Sequence, residues 1–484
     1  MAEDVVNSTL VPIADAADGL TLTAFRPSDG QFDFSAISEI SGAASDAAAV
    51  LDRSAIAIDD LDRSVLVGPL QQAVDQVGEM LREARGSADA ITRAATLLPA
   101  MLGTDGPRNY LVLFQNNAEW RSLGGIPGAM AVIQTEGGAI ALAAQETTSG
   151  FPRYDAPVLP LDDEIIAIYG ERPGRWMQNV TQVPDFSVAG ALAREMWSRQ
   201  HGLEVDGVLS VDPVALSYLL KATGPVTLAS GDVLNSANAV SILLNEVYVR
   251  FEDPAAQDAF FAEAAAAVFT ALLSDTADPP ALMAALTRAA DERRLMLWSA
   301  HEEDQTLLEG TTLAGGLPVN DEHTARFGVY LNDGTGSKMD YYLTSSTDVV
   351  WESCAMSADG ASGEAALTIQ LYSEAPADAA SLPGYITGRG IYGVPPGTAR
   401  TLGYAYLPEG FELIDAQSST GGGFGGGTHE GRRVVSFTVD LAPGQSATLT
   451  VRARSATPSA PNLMVQSTPT LSPPSKVVAA CLAP

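Results

Sequence analysis

Three arginines, Arg121, Arg153 and Arg250, stand at the ends of three separate predicted elements. A pyrophosphate group needs several converging guanidinium donors, because each fork matches phosphate oxygens and neutralises their charge. The glycine-rich segment 124–128 follows the first arginine, and glycines let backbone amides approach such a ligand. The alternative is that each arginine forms a structural ion pair with one of the 59 acidic residues.

A polar cluster follows the first strongly hydrophobic run of the chain. Residues 110–115 have the composition of a buried strand, and Gln115, Asn116, Asn117 and Glu119 come at its end. In α/β sheets the ends of strands are where ligands are contacted, so we expect a binding site here. A capped turn between strand and loop is the alternative.

Two aspartates flank the next predicted strand, 207–211. Asp212 precedes Pro213, and this pair is typical of the N-cap and first position of a helix. Asp206, at the other end of the strand, is a candidate ligand for a cation. Residues 334–338 resemble a phosphate-binding loop in composition but lack its spacing.

Other catalytic motifs are missing from the sequence. The 4 histidines are scattered without the paired spacing of a zinc site, so we predict no metal-binding motif. The sequence contains no Gly-x-Ser-x-Gly nucleophile elbow, which disfavours a hydrolase of that class.

The formal net charge of −32 limits the classes of partner. A surface this negative repels phosphate backbones, so we predict that the chain does not bind nucleic acid. Any anionic ligand must be held by a local cluster of arginines. Lysine occurs only at 221, 338 and 476, which together with abundant Ala, Gly and Asp is typical of a GC-rich genome. An acidic surface is also typical of halophilic proteins.

Two cysteines, Cys354 and Cys481, lie outside any Cys-x-x-Cys or Cys/His cluster. In a secreted chain such a pair predicts one disulfide, which would join the C-terminal tail to a folded body. Two buried free thiols are the alternative. No stretch approaches the ~18 apolar residues of a membrane span, and the N-terminus lacks the features of a signal peptide. We therefore expect either a cytoplasmic chain or one whose upstream membrane segment is missing.

The N-terminal region, 1–105, is predicted to be mainly helical. Apolar residues recur at intervals of three and four in 37–51 and in 70–91, so each run forms a stripe along a helix. The two helices, joined through 59–67, predict a helical hairpin that serves as a stalk. The GTDGP segment at 103–107 ends this region.

The rest of the chain predicts two further domains and a tail. Strand and helix signals alternate through 106–320, which predicts an α/β sandwich. The hydrophobic period then changes to two, which predicts a β-sandwich at 321–455, followed by a Pro/Ser-rich tail at 456–484. The fold class is therefore predicted as multidomain α+β. The specific expectations include a helix at 280–299, a hairpin loop at 332–337 and a flexible glycine-rich loop at 421–427.

Long motifs carry a resemblance to a known family. NYLVLFQNNAEWRSLGGIPGAMAVI at 109–133 and VDGVLSVDPVALSYLLKATGPV at 205–226 closely resemble the actinobacterial family catalogued as domain of unknown function 4012. Segments 244–266 and 329–342 are also similar to it. Members typically carry a transmembrane helix ahead of the helical region. The resemblance implies an extracytoplasmic cell-envelope protein, attached to the membrane through a segment missing from this chain.

More distantly, the order of elements is similar to that of the LytR-CpsA-Psr family, which implies a LytR-CpsA-Psr-like layout for the central domain. Those proteins transfer glycopolymers from polyprenyl-pyrophosphate carriers to peptidoglycan around a magnesium-bound pyrophosphate. Arg121 and Arg153 resemble the arginines that follow two of their strands. Arg250, with Asp253 beside it, resembles their arginine-containing helix end. The resemblance implies a polyprenyl-phosphate lipid or cell-wall glycan as ligand and magnesium as cofactor.

The chain departs from the transferase pattern after its first arginine. Ser122-Leu123-Gly124 replaces the family's Ser-Asp-Thr, which removes an acidic residue that helps to hold magnesium. We therefore state two hypotheses: an envelope protein that binds or transfers a polyprenyl-phosphate-linked glycan, or a non-catalytic extracytoplasmic binding or scaffold protein. The ligand-binding candidates are Arg121, Arg153, Arg250, Gln115, Asn117, Asp206 and Asp253.

Overall fold

The computed structural model describes residues 34–59, 61, 67–274, 278–474 and 477–481. Helices and several sheets occur together in this part of the chain, which confirms the mixed α+β class. No helix within the described residues is long and apolar enough to cross a membrane.

The described residues fall into two compact units. The smaller comprises those up to 109, with 133–141 and 273–280, and the larger comprises 110–132, 142–272 and those from 281 onward. The domain boundaries expected after 105, 320 and 455 stay predictions.

Two long helices dominate the smaller unit, α1 (Phe34–Asp59) and α2 (Gly68–Met101). Leu51 and Ala55 of α1 and Leu81 of α2 form a buried apolar cluster. Leu70 and Val77 share the predicted stripe of α2 but are exposed, so the buried stripe is shorter than predicted. Most of the predicted connection, residues 60 and 62–66, lies outside the described residues, and the hairpin stays a prediction.

A five-stranded sheet carries three of the predicted ligand-binding residues, Gln115, Asn117 and Arg121. Its strands are β1 (Arg108–Arg121), β2 (Gly124–Glu136), β3 (Ala139–Thr147), β4 (Gly207–Val211) and β7 (Leu295–Ser299). They lie in the order β3-β2-β1-β4-β7. β4 pairs parallel with β1 and antiparallel with β7. β1 is longer than predicted, because it continues to Arg121 instead of ending at Gln115.

The remaining helices follow the predicted capping signals in part. Asp212 caps its helix as predicted, since its Oδ1 accepts a hydrogen bond from the Ala215 amide at 2.7 Å. Asn235 accepts bonds from two amides, but regular helix begins only at Ala239 and passes through a π-helical turn, Ile242–Glu246. These helices are α3 (Asp163–Tyr169), α4 (Phe186–His201), α5 (Pro213–Thr223), α6 (Ala239–Ser241), α7 (Val247–Arg250), α8 (Pro254–Leu272), α9 (Pro279–Asp291), α10 (Glu302–Leu308) and α11 (Gly384–Thr387).

The helix predicted at 280–299 is wrong in its second half. α9 ends at Asp291, Arg293 has a positive φ of 57°, and β7 begins at Leu295. A short apolar run fits a buried strand as well as a helix. Residues 295–299 form backbone hydrogen bonds with the edge of β4, and this pairing with a distant segment stabilises the strand over the helix.

The C-terminal half contains two larger sheets, and a small two-stranded sheet, β5-β6, precedes it in sequence. A four-stranded sheet has the order β12-β15-β10-β9, and a six-stranded sheet has the order β13-β14-β11-β8-β16-β17. Val329 and Leu331 of β8 share one hydrophobic cluster with Leu367 and Ile369 of β10. The sandwich layout stays a prediction. The strands are β5 (Val226–Thr227), β6 (Val233–Leu234), β8 (Thr324–Asp333), β9 (Leu343–Ser357), β10 (Gly360–Ser373), β11 (Ala399–Tyr406), β12 (Phe411–Ser418), β13 (Gly425–His429), β14 (Arg432–Leu441), β15 (Ser446–Ser455), β16 (Asn462–Ser467) and β17 (Ala479–Ala480).

Three local expectations in this half differ from the structure. Residues 332–337 are not a hairpin loop, because β8 pairs with β11 and β16 whereas β9 pairs with β10. Part of the glycine-rich run forms β13, which pairs with β14. The predicted tail contains β16, which lies parallel to β8. The partners of β8 are distant in sequence, so local pattern does not reveal these pairings, whereas β13 and β14 are joined by residues 430–431 alone.

Cys354 of β9 and Cys481 form a disulfide, as predicted, with their Cα atoms 5.8 Å apart. Cys481 directly follows β17, which pairs antiparallel with β16. The bond therefore ties the end of the described chain to β9.

Candidate functional site

The polar residues of β1 lie inside the protein and bind other protein groups. Gln115 Oε1 accepts a hydrogen bond from the Gly125 amide at 2.7 Å, and its Nε2 contacts the Ser210 hydroxyl. Asn117 Nδ2 donates to Asp212 Oδ2 at 3.0 Å and to the Pro469 carbonyl at 2.9 Å. These two candidates therefore connect β1 to β2, β4 and the C-terminal segment.

Arg121 ends β1 and is half-buried. Its Nε and Nη2 donate to Asn179 Oδ1 at 3.2 and 3.0 Å, and its Nη1 donates to the Trp120 carbonyl at 2.7 Å. Asn179 is neutral, so these bonds orient the guanidinium without neutralising it. No described carboxylate forms an ion pair with it.

Arg153 lies beside the ring of Trp176. Trp176 is three residues before Asn179 in sequence. The guanidinium carbon of Arg153 is 5.1 Å from the Trp176 ring centroid, and that of Arg175 is 5.3 Å from it. Both distances are within the range of cation–π attraction. Arg175 also pairs with Glu171 at 3.2 Å, whereas Arg153 is exposed and has no ion pair with a described carboxylate.

Tyr404 brings a fourth arginine into this neighbourhood. Burial raises the pKa of Tyr404 to about 12, while the positive charges of Arg121 and Arg172 act in the opposite direction. Both guanidinium groups therefore act on Tyr404 through their charge. Arg172 is exposed and, within the described residues, forms no ion pair. We call Arg121, Arg153, Arg172 and Arg175, with Trp176, Asn179 and Tyr404, the arginine face.

The carboxyl groups nearest to Arg121 are buried. Burial raises the pKa of Asp333, and the Arg121 guanidinium only partly opposes this. Burial, together with the charge of Asp333, raises the pKa of Asp340 well above its usual range. Burial therefore disfavours the charged form of both carboxyl groups.

A chain of buried aromatic residues supports Tyr404. The Tyr169 ring lies 4.6 Å from the Tyr404 ring, its hydroxyl is 2.8 Å from that of Tyr406, and the Tyr406 hydroxyl is 2.9 Å from Nδ1 of His429. Burial lowers the pKa of His429, although nearby carboxylates such as Glu430 oppose the shift. Which of Tyr406 and His429 donates this hydrogen bond depends on the tautomer of the imidazole.

This histidine predicts a pH dependence of stability. The unfolded histidine, with a pKa near 6.5, binds a proton more readily than folded His429, so the free energy of unfolding falls as pH drops below about 6.5. One such group contributes at most about 1.4 kcal/mol per pH unit. We expect His429→Gln to flatten this slope in urea titrations between pH 8 and 5. An unchanged slope would contradict the assignment.

The other candidates contact different partners. Arg250 Nη1 contacts both oxygens of Asp232 at 2.8 Å. Asp206 Oδ1 lies 2.9 Å from His301 Nε2, and Asp253 Oδ1 accepts a bond from the Ala255 amide at 3.0 Å as a helix cap. Their assignment as ligand-binding residues stays a prediction.

The position that would carry the magnesium-binding acid lacks a carboxylate. The Ser122 amide donates to Asn332 Oδ1 at 3.1 Å, and the Ser122 carbonyl accepts from Thr468 at 3.0 Å. Within the described residues there is no group of three or more His, Cys, Asp or Glu able to hold a metal ion. These residues do not fit magnesium, so we derive no step through it.

Sequence reasoning missed two of the four arginines of the arginine face, its other three residues and a buried ion pair. The run ERPGRW at 171–176 places two arginines beside a tryptophan, and this could have been noticed. Tyr404 has no such signal. Lys338 contacts Glu119 in the interior. The sequence did not predict this contact, because the segment 334–338 lacks the spacing of a phosphate-binding loop and has no other recognisable motif.

Fold and site define a mixed α+β, disulfide-containing protein with an arginine-rich face. Residues 105–248 match the family model described as "Protein of unknown function (DUF4012)", which confirms the resemblance to that family over this segment. No curated protein matches the chain. The LytR-CpsA-Psr resemblance and the actinobacterial origin stay predictions.

Three solved structures share weak likeness with the chain. Protein gbs0355 from Streptococcus agalactiae is 11% identical, with 44% of this chain and 76% of that chain covered and a TM-score of 0.28. The Lin1025 protein from Listeria innocua is 13% identical, with 46% and 85% covered and a TM-score of 0.24. The transcriptional regulator yvhJ from Bacillus subtilis is 11% identical, with 42% and 77% covered and a TM-score of 0.24. TM-scores this low do not define a shared fold.

Proposed function

We propose that the chain is an extracytoplasmic cell-envelope protein that binds a phosphate-bearing ligand at the arginine face, either a polyprenyl-phosphate carrier or an anionic cell-wall glycan. The observation that carries this proposal is the grouping of arginines without carboxylate partners. Arg121, Arg153 and Arg172 form no ion pair with a described carboxylate, although the chain has 59 acidic and 27 basic residues.

Physical chemistry makes such a grouping unusual for a purely structural surface. In so acidic a chain, arginines spread at random would pair with carboxylates, as Arg250 does with Asp232. Guanidinium groups that form no ion pair with a carboxylate attract an anion and can bind phosphate oxygens. Asn179 holds Arg121 in place, so less side-chain entropy is lost on binding.

Binding without transfer is the form of the function that the contacts support. The position after Arg121 has no carboxylate, and Arg250 is engaged by Asp232. Transfer of a glycan stays a hypothesis. The disulfide supports an oxidising, extracytoplasmic location.

The test is binding of polyprenyl-pyrophosphate in detergent micelles, measured by calorimetry at low salt. We expect Arg121→Ala and Arg172→Ala each to weaken binding by about 10-fold or more, because each removes a charge-assisted hydrogen bond. Arg250→Ala is the matched control and should leave affinity unchanged. Inorganic pyrophosphate and anionic wall glycan, tested separately, distinguish carrier from polymer.

Two results would contradict the proposal. One is no binding of any of the three probes by folded wild-type protein. The other is an equal loss of affinity for Arg250→Ala and Arg121→Ala. Phosphate release from polyprenyl-pyrophosphate, abolished by Arg121→Ala, would add hydrolysis to binding.

A further inference from the structure

A lysine and a glutamate from distant parts of the chain touch in the interior. Lys338 Nζ contacts Glu119 Oε1, and the two side chains are only 4% and 12% exposed. Lys338 Nζ lies 4.4 Å from the Tyr248 ring centroid and 4.7 Å from that of Tyr385. The pair is therefore shielded from water by aromatic rings.

A buried carboxyl group lies next to this pair. Asp340 follows Lys338 by two residues, and its Oδ2 accepts a hydrogen bond from the amide of Trp120, the neighbour of Glu119, at 2.8 Å. Its Oδ1 is buried and has no hydrogen-bond partner within the described structure. A buried polar atom without a partner is costly, and such groups often mark a reactive site.

We propose that Glu119 and Lys338 condense to an intramolecular amide that cross-links β1 to the segment after β8. The Lys338 nitrogen attacks the Glu119 carboxyl carbon, a C–N bond forms, and one C–O bond breaks. The oxygen leaves as water after taking up two protons. Asp340 relays a proton from nitrogen to the departing oxygen and is regenerated. Nothing is oxidised or reduced, and the products are one amide and one water.

The resting state of the two groups is an ion pair, and the reaction starts from it. Burial alone lowers the pKa of Lys338, but the Glu119 carboxylate raises it above the ordinary value. The ammonium must therefore give its proton to Glu119 before attack. Desolvation of both charges reduces the advantage of the charged pair over the neutral acid and amine but does not remove it, so this proton transfer slows the reaction.

Proximity and exclusion of water favour the amide. Groups held in contact react as if present at roughly 10⁵–10⁸ M, and the product water leaves a site that water does not re-enter easily. The reaction needs to occur only once in the life of each molecule, so a slow rate is sufficient. The amide also removes two buried charges. This cross-link is independent of ligand binding at the arginine face.

The test is the intact mass of wild-type protein after reduction of the disulfide. We expect a mass below that of the sequence by one water, about 18 Da. Tandem mass spectrometry of a digest should show a branched peptide joining Glu119 to Lys338. A folded wild-type protein with the full sequence mass overturns the proposal, and so does a water loss that maps to other residues.

Three variants assign the roles. Lys338→Arg keeps the positive charge but should restore the full sequence mass. Asp340→Asn keeps the side-chain shape and should lower the cross-linked fraction formed in a fixed time by about 10-fold or more, as expected for a lost proton relay. Lys221→Arg, at an exposed lysine, is the matched control and should still lose one water.

Discussion

Replacing Arg294 by methionine is expected to lower the free energy of unfolding by about 3–5 kcal/mol, the effect of breaking a buried ion pair. The Arg294 side chain is 3% exposed. It donates to Asp212 Oδ2 at 2.7 Å, to Glu292 Oε2 at 2.8 Å and to the Thr470 carbonyl at 2.7 Å. Methionine fills much of the same space but leaves these acceptors unpaired.

Asp212 connects Arg294 to several elements of the fold, so the loss of Arg294 is expected to destabilise more than one of them. Asp212 caps α5 and also accepts a bond from Asn117 of β1. Burial alone would raise the pKa of Glu292, yet hydrogen bonds from Arg294 and Tyr218 lower it below its usual value. Removal of Arg294 therefore leaves two carboxylates short of compensation.

Urea denaturation of Arg294→Met measures this effect, and Arg452→Met is the matched control. Arg452 is 42% exposed and pairs with Glu352 at 3.1 Å, so its loss should change stability by less than about 1 kcal/mol. Asp212→Asn added to Arg294→Met should restore part of the loss, because asparagine caps a helix without a charge. Equal effects of the two arginine substitutions would show that the buried network is not strongly coupled to folding.

Removing the disulfide is expected to cost about 2–5 kcal/mol in the free energy of unfolding. Cys354 and Cys481 are 127 residues apart in sequence, so the bond closes a long loop in the unfolded chain. Loss of the bond increases the entropy of the unfolded state and frees the end of β17 from β9. The double variant Cys354→Ser, Cys481→Ser avoids a free thiol.

The measurement compares unfolding midpoints with and without reductant. Wild-type protein should lose stability when reduced, and the double variant should match reduced wild type and be insensitive to reductant. A double variant as stable as the oxidised wild type would contradict this expectation. The cross-link proposed at Lys338 would remain in both proteins, so the comparison isolates the disulfide.

Local sequence patterns predicted an element correctly where its stabilising contacts lie within a few residues of one another in the chain. Asp212 followed by Pro213 marks the start of α5 because capping involves residues within one turn. β7 was missed because its identity depends on pairing with β4, almost ninety residues earlier in the chain. The same reason explains why the hairpin at 332–337 is not formed.

The candidate site shows the same division. Arg121 and Arg153 were singled out from the sequence, whereas Arg172 and Tyr404 became part of the site only through the fold. Tyr404 belongs to β11, and no spacing in the sequence connects it to residues near 121 or 172. Charged groups interact according to their distance in the folded structure, and the local sequence does not reveal this distance.

The sequence by itself determined the mixed α+β class, the acidic surface, the capping of α5 and the pairing of the only two cysteines. Each depends on composition or on neighbours along the chain. Tertiary structure decided which arginines share one face, which strand completes the central sheet, and that Lys338 meets Glu119 across 219 residues. These outcomes follow from packing, because most buried polar groups are hydrogen-bonded and their partners come from any part of the folded chain.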